Sequence, residues 1–105
     1  MKTLTLKQSL KDLKGDVLKN GDREIVTVGS AAATIILMVK EDLIRSLTMA
    51  QTLYKEEKIE LNTSDFDYLQ AGIKAHASSV YGNALIGGQL LVILSELKDI
   101  EEKTK

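Results

Sequence analysis

Residues 16–39 read DVLKNGDREIVTVGSAAATIILMV, and the periodicity changes partway along. Asp16-Val17-Leu18-Lys19 and Arg23-Glu24-Ile25-Val26-Thr27-Val28 flank Asn20-Gly21-Asp22. Asn-Gly is a strong short-range hairpin signal because both residues tolerate positive φ, so a small β-hairpin is predicted here. Gly29-Ser30 then leads into Ala31–Val39, where Ser30 is placed to act as N-cap and the alanines favour helix. The predicted helix is apolar nearly all round, which sets it at the centre of a core or in a subunit contact. A hairpin running directly into a buried helix makes the chain α+β.

Upstream, Leu4 and Leu6 alternate with Thr3, Thr5 and Lys7, the period of a half-buried strand near residues 2 to 8. Downstream, Glu41 and Asp42 stand where the positive end of a helix dipole favours carboxylates, and Leu43, Leu47, Ala50 and Leu53 or Tyr54 follow at helical spacing. That helix is predicted from about Glu41 to Lys58, with Arg45, Gln51, Lys55 and Glu56 facing water. Asn62, Thr63 and Ser64 are candidate N-caps for a third helix carrying Phe66, Leu69, Ile73 and Ala77. Ser78, Ser79, Gly82 and Asn83 weaken helix propensity, marking either a turn or a bend before a further helix from Ala84. The predicted whole is one mostly helical α+β domain over 1–98: a β-hairpin region at 1–28, then three or four packed helices at 30–98. The charged tail 99–105 is expected to fray.

With 105 residues, one modest core is available, and the 44% hydrophobic and 28% charged shares are those of an ordinary globular chain. Cysteine is absent, which removes disulfides, thiolate catalysis and cysteine-ligated metal sites. The start MKTLTLKQSLKDLK lacks the unbroken apolar core of a signal peptide, and the stretch Ala84–Leu94, interrupted by Gln89, falls short of the ~20 residues that span a bilayer. A cytoplasmic location without membrane contact is expected. Residues 1–23 carry six basic against three acidic side chains, so a net charge of −1 leaves the remainder acidic by four. Those lysines are spaced among acids with no groove-reading motif, so nucleic-acid binding is disfavoured and a solvated strand edge is the plainer reading.

Few residues suggest chemistry. His76 is the single histidine and has no nucleophile motif beside it, so it reads as a structural or exposed side chain. Asp65 and Asp67 point roughly 200° apart on a helix and read as first-turn carboxylates. Gly82, Gly87 and Gly88 lack the Gly-Lys-Ser/Thr ending of a phosphate loop. Within a helix, Gly87 and Gly88 each cost about 1 kcal/mol against alanine, so close helix approach is the expected compensation, either inside the monomer or between subunits.

Leu47, Ala50, Leu53 and Tyr54 in one helix, Glu60-Leu61 and Asp65 opening the next, then Leu69, Tyr81, Gly88-Gln89 and Leu94 together resemble short proteins of tailed-bacteriophage and prophage genomes. The resemblance covers about residues 43 to 97, and the run Asn83–Gly87 departs from it. It implies phage origin and action in a bacterial cytoplasm, without implying a chemistry. On the residues themselves, the expected function is a non-enzymatic, cofactor-free protein–protein interaction module. Self-association is expected through Ile86, Leu90, Leu91, Ile93, Leu94 and Leu97, with Ile36 from the earlier helix, because these exceed one helical face. A host or virion protein is the other expected partner. The alternative is an oligomer that binds a small molecule such as a nucleotide signal.

Overall fold

Thr27 and Ser30 set the start of the central helix by capping each other. In the computed structural model, which describes residues 1–20 and 24–97, the Ser30 amide donates to Thr27 Oγ1 at 3.1 Å and the Thr27 amide donates to Ser30 Oγ at 3.0 Å. The helix α1 therefore spans Val28–Ile36, with Thr27 as its N-cap. The assignment of Ser30 as cap is corrected: Ser30 is the third helical residue, and its hydroxyl completes the reciprocal pair.

Before α1 come β1 (Lys2–Thr5), β2 (Lys19–Asn20) and β3 (Glu24–Ile25); after it come α2 (Leu43–Lys55), β4 (Lys58–Leu61), α3 (Thr63–Tyr81) and α4 (Ala84–Ser95). The fold is α+β and mostly helical. β2 and β3 pair antiparallel as the expected hairpin, whose tip, Gly21 to Arg23, lies outside the described residues, as does the charged tail. Beyond that pair the ladder takes in a third segment. Leu10 N–H donates to Val26 O, Val26 N–H to Leu18 O, and Leu18 N–H to Leu10 O, closing a ring of three backbone bonds at 2.8–2.9 Å. Leu10 and Val26 turn inward from this ring and are buried.

The first strand stops at Thr5, short of the expected residue 8, because its partner β4 ends there: Lys2 faces Leu61, Leu4 faces Ile59, and Thr5 faces Lys58, all antiparallel. β4 itself was not predicted. It is a four-residue strand whose pairing lies almost sixty residues away, a distance no local pattern reports. Its partnering buries Leu4 and Leu61 against the helices. Lys2 is also held, with Nζ donating to the Leu97 carbonyl at 3.2 Å past the end of α4 and lying 5.2 Å from the Phe66 ring centre. A cation there suits the negative end of the helix dipole, so Lys2 ties the first strand to α4.

α1 packs against both α2 and α3, and α3 packs against α4. Its alanines, Ala31, Ala32 and Ala33, are buried alongside Ile35 and Ile36, so short side chains admit neighbours on two sides. α3 and α4 are separate helices: Gly82 takes the left-handed conformation at φ 77° as the C-cap of α3, and Asn83 caps α4 by accepting from the Leu85 amide. Ser78 and Ser79 belong to α3. At Gly87 a Cβ would stand 2.7 Å from Ala77 Cβ, so this glycine serves helix approach inside the monomer. Around Gly88 there is open space. Gln89, the interruption in the apolar stretch, clasps the backbone of Lys11: its Oε1 accepts from the amide at 2.8 Å and its Nε2 donates to the carbonyl at 2.7 Å. Among the described residues, no helix is long and apolar enough to cross a membrane.

Candidate interaction surface

The apolar surface expected on α4 lies elsewhere. Ile36, Ile86, Leu90 and Leu94 are 0–7% exposed and belong to the monomer core. Leu91, Ile93 and Leu97 are half-buried and pack against that core. α4 shows its surplus only at Val92, which is 56% exposed. The correction has a simple cause. α4 lies between α3 on one side and the irregular β region on the other, so more than one of its faces is covered by the same chain.

Among the described residues the exposed large apolar side chains are most concentrated on α2, with others such as Leu13, Ile25 and Val92 scattered elsewhere. The buried positions of α2 are Ser46, Met49, Ala50 and Leu53, the i, i+3, i+4, i+7 set of one face. Leu43 and Leu47, expected inside, are 69% and 51% exposed, and Ile44 and Tyr54 are 79% and 65% exposed. A polar residue sets this rotation. Ser46 Oγ donates to the Val39 carbonyl at 2.7 Å and sits 2.6 Å from the Tyr68 hydroxyl, which also reaches the Asp42 carbonyl at 3.3 Å. These bonds fasten the loop 37–42 onto both α2 and α3, and they are available only if Ser46 points inward. Arg45 completes the fastening: it stacks 4.3 Å above the Tyr68 ring, bonds Ser64 Oγ and pairs with Asp65 at 3.0 Å. Sequence reasoning placed Arg45 in water and missed this network, because its partners are some twenty residues downstream.

Leu43, Leu47 and Tyr54 fall on one stripe of α2 at helical spacing, with Ile44 at its edge. On α1, Ser30, Thr34 and Leu37 fall on one stripe in the same way, and Leu37 is 52% exposed. Tyr54 joins the two stripes, since it lines a groove together with Thr27, Ser30 and Thr34. The outer face of the α1–α2 pair therefore presents Leu37, Leu43, Ile44, Leu47 and Tyr54 with no charged side chain among them. Taking ~200 Å² for a fully exposed large residue, these five together expose roughly 650 Å² of residue surface.

The groove next to Tyr54 has a volume of about 440 Å³ and is also lined by Lys7, Glu24 and Tyr81. It meets the beginning of α1, but the first three amides of that helix are already used: Val28 donates to Gln8, Gly29 to Leu6 and Ser30 to Thr27. It is therefore no ready cradle for phosphate. A second groove of about 360 Å³ runs between loop 37–42 and α3, with half-buried His76 and Tyr68 and exposed Glu41 in its wall. Asp65 is engaged with Arg45, and Asp67 is exposed on the following turn. Among the described residues, no three of His, Cys, Asp and Glu converge as metal ligands.

Comparison with protein-family models, characterised proteins and solved structures returns no match.

Proposed function

We propose that the protein is a non-enzymatic protein–protein interaction module that binds through the outer face of α1 and α2. The observation that carries this reading is the uncharged apolar stripe Leu43, Leu47 and Tyr54, with Ile44 at its edge, which gathers more exposed large apolar side chains than any other element among the described residues. Leaving such a stripe in water forgoes about 25 cal/mol for each Å² that a partner would cover. Tyr54 suits a contact that is dry over its ring and wet at its hydroxyl. The role is stoichiometric, as the likeness to small phage proteins implies: an accessory, assembly or host-factor-binding protein in the cytoplasm of a bacterial host.

Site-specific photo-crosslinking tests this directly. A photoreactive residue at position 47 should yield a discrete adduct in expressing cells, and the same residue at Ser79, exposed on α3, should yield none. Equal labelling from both positions, or no adduct from position 47, would sink the reading.

The groove walled by Tyr54 and Tyr81 supports a second reading, a small-molecule binder in which the ligand lies beside the contact face. Nucleotides that leave the melting temperature unmoved would remove it.

A further inference from the structure

We propose a second interaction surface, separate from the α1–α2 face: the outer edge of β1 takes up an extended segment of a partner protein that carries a carboxylate near the Thr5 end. Hydrogen-bond parity carries the argument. Leu6 N–H donates to Glu57 O at 2.8 Å, and the same register sets Leu4 opposite Ile59 and Lys2 opposite Leu61. Bonded and unbonded pairs alternate along an antiparallel ladder, so Lys2 and Leu4 direct their N–H and C=O groups toward β4, whereas those of Thr3 and Thr5 point away from it. Among the described residues no other strand pairs with β1, and the backbone of neither threonine bonds to any of them. Outward donors and acceptors repeating every second residue are matched by another extended backbone, so the edge itself states what kind of chain covers it. Both outward residues are β-branched and uncharged, with no proline to block pairing, while the opposite edge of the sheet is guarded by the exposed charges of Lys58 and Glu60.

Charge selects the partner. Residues 1–11 hold Lys2, Lys7 and Lys11 and no acidic side chain. Lys7 is exposed just past Thr5, and exposed Lys58 stands opposite Thr5 on β4, so both bring positive charge to that end of the edge. Glu60, the acid on the same face of the sheet, lies opposite Thr3 at the other end. An incoming strand with an Asp or Glu near Thr5 complements this arrangement. A second copy of β1 does not. Antiparallel pairing about Leu4 would join Thr3 of each copy to Thr5 of the other, but it also sets Lys7 of each beside Lys2 of the other, like charges that oppose the pairing.

The test uses the full chain, isotope-labelled, with two short capped peptides: one alternates valine with threonine and glutamate, and the other has lysine in place of glutamate. In the chain alone, the Thr3 and Thr5 amides should exchange with solvent far faster than that of Leu4; equal protection would mean that the edge is already covered and overturns the proposal. The glutamate peptide should slow exchange at Thr3 and Thr5 selectively. At low salt the lysine peptide should bind about tenfold more weakly, and the gap should narrow as salt rises. Equal affinities overturn the assigned chemistry, and no protection by either peptide at millimolar concentration overturns the surface. Thr5→Pro removes an outward N–H while leaving every donor to β4 in place, a position at which edge strands tolerate proline. It should weaken binding of the glutamate peptide about tenfold with circular dichroism unchanged, and undiminished binding places the contact elsewhere. Should the proline unfold the chain, Lys7→Glu answers instead: it should narrow the preference for the glutamate peptide, and an unchanged preference removes charge as the basis of selection.

Discussion

Gly87 and Gly88 are neighbours in one helix, yet replacing each by alanine should move stability in opposite directions. Either substitution removes backbone freedom from the unfolded chain and improves helix propensity, a gain of about 0.5–1 kcal/mol. At Gly88 the new methyl meets nothing within 4 Å, so the gain stands alone. At Gly87 it would stand 2.7 Å from Ala77 Cβ, where α3 and α4 touch. Forcing those helices apart costs about 1–3 kcal/mol and outweighs the propensity term. For a domain of this size, Gly88→Ala should raise Tm by about 2–8 °C, and Gly87→Ala should lower it by a similar amount. Thermal and urea denaturation at one fixed protein concentration would measure both, and Ala77→Gly in the Gly87→Ala background should recover part of the loss. Two shifts of the same sign would refute the argument. A destabilised, dissociating Gly88→Ala would show instead that another molecule covers α4, returning the contact to the helix where sequence patterning first put it.

Three further outcomes follow from the same geometry. Tyr68→Phe removes one hydroxyl from the fastening of loop 37–42 while Ser46 keeps the Val39 carbonyl, so urea unfolding should show a loss of about 1 kcal/mol. Ser46→Ala should cost more, about 1–3 kcal/mol, because it leaves the buried-side Val39 carbonyl without its donor while the Tyr68 hydroxyl keeps only the Asp42 carbonyl; equal losses for the two variants would contradict the assignment of Ser46 as the hub. Gln89→Ala opens two hydrogen bonds to the Lys11 backbone and should cost about 1–2 kcal/mol, with faster amide exchange at Lys11 as the local signature; unchanged exchange there would mean the clasp contributes nothing in solution.

Much of the architecture was legible because local chemistry controls it. Asn20-Gly21 announces a hairpin, Asn62 is among the candidate caps and does cap α3, and Gly82-Asn83 falls in the stretch marked as a turn or a bend, which proves to be a turn. The α1 stretch reads as a core helix because hardly any of its faces is polar. Where the reading failed, the controlling partner was remote. β4 forms because residues 2–5 lie beside it. Lys2, read as a solvated lysine, is bound to a carbonyl 95 residues away.

The candidate surface shows the same division. Sequence patterning put a surplus of apolar face on the α4 stretch and on Ile36, and the core of this one chain takes up nearly all of it. Which helix would keep its excess in water was a tertiary decision. α4, the more uniformly apolar, is covered by α3 and by the Gln89 clasp. α2 is turned by Ser46, whose hydroxyl reaches Val39 and Tyr68 only from the buried side, and the turn carries Leu43 and Leu47 outward. A buried hydroxyl must keep its hydrogen bonds, whereas a leucine is tolerated on either side of the boundary, so one serine outvoted two leucines.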